Sequence, residues 1–199
     1  KFESNPKITS SGFYNNYEFL IRNANSDTQN SENYKRGENI YLSGIFQFNS
    51  SLPLIKNTVS NKRIFTPKIS LKLSPSNNTK DVKNNDNRLD VNNIFNLDRL
   101  STSNTIESGL SITYGSDFSV INKQNSNEIL SLKLANNLRL KKQDDFPNNN
   151  QLGAKTSNFF AEATFKPNKY FTSKYNISTK NNLYDVNYEN LSAQININN

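Results

Sequence analysis

Apolar and polar residues alternate with a period of two along most of this chain. In residues 40–48, Ile40, Leu42, Gly44, Phe46 and Phe48 fall on one side, and Tyr41, Ser43, Ile45 and Gln47 on the other. Residues 106–114 set Ile106, Leu110, Ile112 and Tyr114 opposite Glu107, Gly109, Ser111 and Thr113. Near the end, Leu191, Ala193, Ile195 and Ile197 alternate with Ser192, Gln194, Asn196 and Asn198. This period puts successive side chains on opposite faces of a β-strand. Comparable stretches at 12–22, 64–74, 117–122, 128–140, 158–166, 169–180 and 183–189 predict about eight to ten strands and no helix.

Two kinds of connection separate these stretches. Short ones at 122–127 and 166–169 are rich in turn formers; longer polar ones run over 23–38, 75–87 and 141–157. Long and short take turns, as in an antiparallel meander with loops at one end and turns at the other. Asparagine-rich composition continues throughout, so residues 1–199 read as one unit without an internal boundary.

Strand length narrows the architecture. About ten residues at ~3.3 Å each, tilted by ~40°, cover ~25 Å, the height of the apolar band of an outer-membrane barrel. Only 33% of the residues are apolar and 38 are Asn, against roughly 45–50% apolar in ordinary globular domains. A barrel tolerates this deficit, because one face of each strand meets lipid and the other a polar lumen, with every backbone group paired across strands. The aromatic pairs Phe13-Tyr14, Phe159-Phe160 and Tyr170-Phe171 would suit interfacial girdles. A soluble β-sandwich is the alternative, with apolar faces meeting in a dry centre.

The formal net charge of +7 admits nucleic acid, an anionic surface or an acidic ligand, and codon bias that inflates Lys and Asn explains it equally well. Nucleic-acid binding is set aside, because the basic residues are scattered or sit in loops instead of alternating with exposed aromatics on one strand. The chain holds no Cys, so disulfides and thiolate metal sites are excluded, and no run approaches ~18 apolar residues as a transmembrane helix requires. It also holds no Met, and its start, KFESNPK, lacks the regions of a signal peptide. The expectation is an excised part of a longer protein.

Catalysis has few candidates. His and Cys are absent, no serine lies in a Gly-x-Ser-x-Gly elbow, and no glycine-rich phosphate loop exists. Asp144 and Asp145 read as solvated loop charges. Asp86, Asp90 and their neighbouring asparagines lack the glycine and terminal Glu of a calcium loop. No cofactor or metal is expected.

One stretch interrupts the alternation. In RLDVNNIFNLDRLSTSNTIESGLSITYG, residues 88–115, the charges Arg88, Asp90, Asp98, Arg99 and Glu107 sit among Leu, Val, Ile and Phe. Three readings compete: a catalytic cluster, a salt-bridged structural knot, and a polar lining inside something hollow. Lack of catalytic partners removes the first. Unpaired charges facing lipid would cost ~2–4 kcal/mol at the midplane, so these residues face inward or lie outside the bilayer. A network of ion pairs and hydrogen bonds pinning a loop inside the lumen is favoured over direct ligand contact.

The same region carries a family resemblance. Phe65-Thr66-Pro67-Lys68-Ile69-Ser70-Leu71, Leu89-Asp90-Val91-Asn92-Asn93-Ile94-Phe95, Leu97-Asp98-Arg99-Leu100, Ile106-Glu107-Ser108-Gly109 and Tyr114-Gly115 follow one another in an order that resembles the middle of the LptD family of lipopolysaccharide-assembly barrel proteins. At Ser101-Thr102-Ser103-Asn104 the chain departs from the family's Ser-Gly-x-Asp/Asn turn, with Thr102 in place of glycine. The resemblance implies a cell outer-membrane barrel that passes lipopolysaccharide to the outer leaflet, with a plug lipoprotein (LptE-like) and a periplasmic Lpt bridge as partners. It also implies that the barrel's first and last strands and a periplasmic jellyroll lie beyond this piece. A porin or uptake receptor and a soluble adhesin-like sandwich are the alternatives.

Overall fold

The computed structural model describes residues 1–32, 36–75, 88–100, 106–144, 146 and 151–197. It is all-β. Eleven strands form one antiparallel sheet: β1 (Phe2–Glu3), β2 (Lys7–Ile8), β3 (Tyr14–Thr28), β4 (Gly37–Ser51), β5 (Leu54–Asn57), β6 (Asn61–Ser74), β7 (Gly109–Asn122), β8 (Glu128–Arg139), β9 (Phe159–Asn168), β10 (Phe171–Thr179) and β11 (Val186–Ile195). The long strands pair in the order β3-β4-β6-β7-β8-β9-β10-β11, each with its successor, while β1 and β2 pair with β3 and β5 with β6. This is the expected meander. The sheet is open, since β11 has no partner beyond β10 among the described residues.

Connections sort by end. Those between β3 and β4, β6 and β7, β8 and β9, and β10 and β11 lie at one end; the short ones at 123–127 and 169–170, with the β5 hairpin, lie at the other.

The strand boundaries differ from expectation in instructive places. Residues 23–38 read as a polar loop, yet β3 runs on to Thr28 and β4 starts at Gly37, in register from Asn23↔Leu42 to Thr28↔Gly37. The ladder between β4 and β6 covers only Phe46 to Ser51, so the upper halves of β3 and β4 stand beyond the sheet as a two-stranded hairpin. On β4 the alternation of 40–48 persists, with Ile40 and Leu42 exposed and Ser43 and Ile45 buried, whereas 23–28 and 37–39 hold no large apolar side chain. The separate stretches 106–114 and 117–122 share one strand from Gly109, β7, and 183–189 with 191–197 share β11, which covers only Val186–Ile195.

Gly109 explains the shift at the start of β7. Its φ of +90°, a conformation that favours glycine, breaks the alternation, so that Ile106 and Glu107 are both buried while Leu110 and Ile112 lie on the opposite face. Ile106 therefore does not share a face with Leu110 as its spacing predicts.

The two faces of the sheet have different chemistry. On the open face, Tyr17, Phe19, Phe46, Leu71, Leu73, Ile112, Tyr114, Leu132, Leu134, Phe165, Tyr175 and Leu191 follow one another across the registers from β3 to β11 and are all exposed. Nothing among the described residues packs on them, which is not the geometry of a sandwich. The covered face carries Ser43, Gln47, Ser70, Lys72, Ser111, Thr113, Asn137, Arg139 and Glu162, all buried.

Two small apolar clusters seal this polar face. Leu89, Val91, Ile94 and Leu100 of the β6–β7 connection pack with Phe146 and Leu152 of the β8–β9 connection and with Ala135 and Phe160 of the sheet. Leu97 and Ile106 pack on Ile45, with Leu20 beside them. Phe160, expected in an aromatic girdle, is 3% exposed and belongs to the first cluster. Phe13, Tyr14 and Tyr170 are exposed near the short-turn end, as a girdle requires.

Gly115 leaves no room for a side chain between β7 and β8: a Cβ there would run into the backbone oxygen of Leu134. Gly115→Ala is expected to destabilise the sheet by about 1–3 kcal/mol, measured as a lowered urea midpoint of unfolding from detergent or lipid. An unchanged midpoint would show that the ladder has slack at this point.

Candidate functional site

The β6–β7 connection folds back across the covered face. Its first half is a tight knot built on Asp90. The Asp90 carboxylate accepts hydrogen bonds from the backbone N–H groups of Asn92 (2.8 Å) and Asn93 (3.2 Å), and its carbonyl accepts from Ile94 N–H at 3.1 Å. Asn93 answers by accepting from Asp90 N–H and donating to the Arg88 carbonyl. Asp and Asn side chains favour such local turns. The knot sends Val91 and Ile94 downward into the apolar cluster.

Beyond the knot lies a buried ionic hub centred on Glu107. Arg99 grips this carboxylate with both Nε, at 2.7 Å, and Nη2, the bidentate geometry that guanidinium and carboxylate share. Arg139 Nη1 donates to the same carboxylate at 2.9 Å, and Lys72 Nζ stands 3.6 Å away. Most of the remaining donors are also used, Arg139 Nε excepted. Arg99 Nη1 reaches Asn137 Oδ1 (2.8 Å), Thr113 Oγ1 (3.1 Å) and the Ile94 carbonyl (3.3 Å), and its Nη2 donates to Ser111 Oγ at 3.0 Å. Arg139 Nη2 donates to the Ser108 carbonyl, and Lys72 Nζ to the Asn96 carbonyl at 2.5 Å. The hub thus joins the connection to β6, β7 and β8 at once.

Burial alone would raise the pKa of Glu107. Arg99, Lys72 and Arg139 outweigh it, and the carboxyl lies well below its ordinary range. Asp98 behaves differently. It pairs with Arg22 of β3 at 3.2 Å, yet burial lifts its pKa in spite of Arg22 and Lys72. The distance suggests a strong pair and the shift a weak one; desolvation decides, because a single partner at that distance offsets little of the loss of water.

A second network holds the knot. Glu162 of β9 pairs with Lys174 at 2.9 Å and Lys133 at 3.5 Å and accepts from Asn92 Nδ2 at 3.0 Å. Lys133 Nζ returns to Asn92 Oδ1 at 2.9 Å. Gln47 and Lys68 meet Phe95, the first through its carbonyl at 2.8 Å and the second over its ring at 4.4 Å.

Of the five charges singled out in the sequence, the fold brings Arg99 and Glu107 into direct contact and sets Asp98 beside them through Lys72. Asp90 shapes the knot, and Arg88 lies apart, its guanidinium 3.6 Å above the Tyr188 ring of β11. Sequence reasoning missed Lys72, Arg139 and Glu162. Each is bracketed by apolar neighbours, in Leu71-Lys72-Leu73, Leu138-Arg139-Leu140 and Ala161-Glu162-Ala163, but so is the part-exposed Lys133, so the pattern marks the polar side of a strand without showing which charge is covered. The turn Ser101–Asn104, Asp86 and Asp145 lie outside the described residues, while Asp144 pairs with Lys142 at 2.5 Å. Among the described residues no group of acidic side chains could hold a metal ion.

Such a hub is suited to holding and not to reacting. Its carboxylate is saturated by cations that tie three strands to the connection. A family model described as LptD, LPS transport system D, matches residues 6–199. No curated protein matches the chain.

Removing Glu107 would leave three buried cations around a void. Glu107→Gln is expected to cost about 3–5 kcal/mol, the usual result of breaking a buried pair from one side, and to expose the 88–107 connection to trypsin. Asp98→Asn is expected to be near neutral or slightly stabilising. The pH dependence has a defined sign: the Glu107 contribution is complete above the ordinary carboxylate range near ~4.3 and disappears as pH falls through its lower folded value. Asp98, raised, works the other way and favours the fold at acid pH. Proteolysis rates and unfolding midpoints of the two variants between neutral and acid pH check both statements.

Proposed function

We infer the role of this chain from its family: it belongs to the LptD family and takes part in lipopolysaccharide transport and assembly at the outer membrane. The family is one of transport proteins, without covalent chemistry. The observation that carries the finer reading is the two-faced sheet, apolar and uncovered on one side and polar under a folded-in connection on the other. Residues 1–199 supply consecutive strands of a transmembrane barrel, the open face meets hydrocarbon and the covered face lines the lumen. The long connections lie at the extracellular end and the short turns at the periplasmic end, the usual arrangement of such barrels.

Passage of a phosphorylated glycolipid needs a hydrated route for its sugars and a lipid-facing exit for its acyl chains. Neutral donors and acceptors along the covered face, from Ser, Thr, Asn and Gln, suit the first need. The hub of Arg99, Glu107, Arg139 and Lys72, with Asp98 beside it, the Asp90 knot next to it and Arg88 on the Tyr188 ring, fixes the connection against the lumen wall and so sets how much of the lumen stays open. A plug lipoprotein of the LptE type and a periplasmic Lpt bridge complete the route, and the whole inserts lipopolysaccharide into the outer leaflet.

Depletion of the protein is expected to strip newly made lipopolysaccharide from the cell surface, and unchanged surface lipopolysaccharide would overturn this function. The orientation of the faces has its own test. Leu71→Arg or Ile112→Arg, on the open face, is expected to cost about 2–4 kcal/mol of folding into lipid vesicles, whereas Ser131→Arg on the opposite face costs far less. Equal penalties on both faces would show that the open face does not meet lipid.

A further inference from the structure

The sheet has a notch in its short-turn edge. Strand β8 starts at Glu128 and β9 continues to Asn168, but their ladder stops at Leu130↔Phe165. Below that pair the two strands splay apart and a cleft opens between the β7–β8 and β9–β10 turns. Asn125, Asn127, Glu128, Lys166, Lys169 and Thr172 are among the residues that line it.

Its charges are unsatisfied. Neither Lys166 nor Lys169 has an ion-pair partner among the described residues, although Glu128 lines the same cleft. Lys169 instead stands 4.9 Å from the centre of the exposed Tyr170 ring. Two cations face one carboxylate in the cleft. Directly above the notch on the open face are Phe165 and Leu132, both exposed, and the outward side of Leu130. Two residues along a strand span ~7 Å, so Glu128 lies about that far below Leu130 on β8.

We propose that this notch is a binding site for an anionic glycerophospholipid, with its phosphate on Lys166 and Lys169 and its acyl chains along Leu130, Leu132 and Phe165. The proposal rests on the barrel reading above, which puts the short turns at the inner-leaflet headgroups. Asparagine amides of the β7–β8 turn and the Thr172 hydroxyl offer further donors to phosphate oxygens. Glu128 opposes an anion and limits the affinity. The excess of positive charge favours an anionic headgroup over a zwitterionic one.

The test is native mass spectrometry of the full-length protein in detergent, titrated with phosphatidylglycerol or phosphatidylethanolamine. The expected result is preferential retention of phosphatidylglycerol, reduced by about fivefold for each cation removed in Lys166→Gln and Lys169→Gln, and increased in Glu128→Gln. Equal retention of the two lipids, or variants that behave as the parent, would overturn the site. Insertion into vesicles, scored in parallel by protease protection, separates this from the barrel reading: a protein that inserts normally but lacks the lipid preference refutes the notch alone, and one that never inserts refutes the barrel.

Discussion

One carboxylate sets the charge balance of the covered face. Glu107 faces Arg99, Arg139 and Lys72 at once, and without it three cations would lie buried against each other. Such a cluster contributes little net stability, since most of its Coulomb gain offsets the loss of hydration. What it provides is an address. The Arg99 guanidinium finds its donors satisfied only where Thr113, Ser111, Asn137 and Glu107 converge, so the connection has a single place to lie. The apolar clusters around Leu89, Ile94 and Leu97 then seal that place from water.

The open face obeys the opposite rule. It has no specific contacts to make, only a requirement that large apolar side chains recur at the right phase. Exposed residues such as Leu71, Ile112 and Leu134 would be a liability in water; beside hydrocarbon they are the reason the sheet stays where it is. Low total hydrophobicity and a stable fold are compatible here because only one face in two has to be apolar.

Legibility of the sequence followed this division. Strands with an apolar face announced themselves by period two, and so did their alternating long and short connections. Residues 23–28 of β3 and 37–39 of β4 did not, because that end of the hairpin holds no large apolar side chain to set a phase. Arg99 and Glu107 were conspicuous in a loop. Lys72, Arg139 and Glu162 were not, because a charge on the polar side of a strand looks like any solvated residue until something is folded over it. Ile106 was assigned to the wrong face because the positive φ of Gly109 resets the phase, and a glycine with positive φ cannot be told from an extended one by pattern.

The spacing of the hub along the chain has a consequence for the order of assembly. Arg99 reaches Asn137 across 38 positions, Arg139 reaches Glu107 across 32, and Asn92 reaches Glu162 across 70. Each of these closures carries an entropic cost that grows with the length of chain enclosed; the first two draw on β8 and the third on β9. The connection therefore docks after its wall is built, as a late step whose partners wait preassembled. During the interval, the polar wall is filled with water and its cations are hydrated, so the expulsion of that water belongs to the last stage of folding and not to the first.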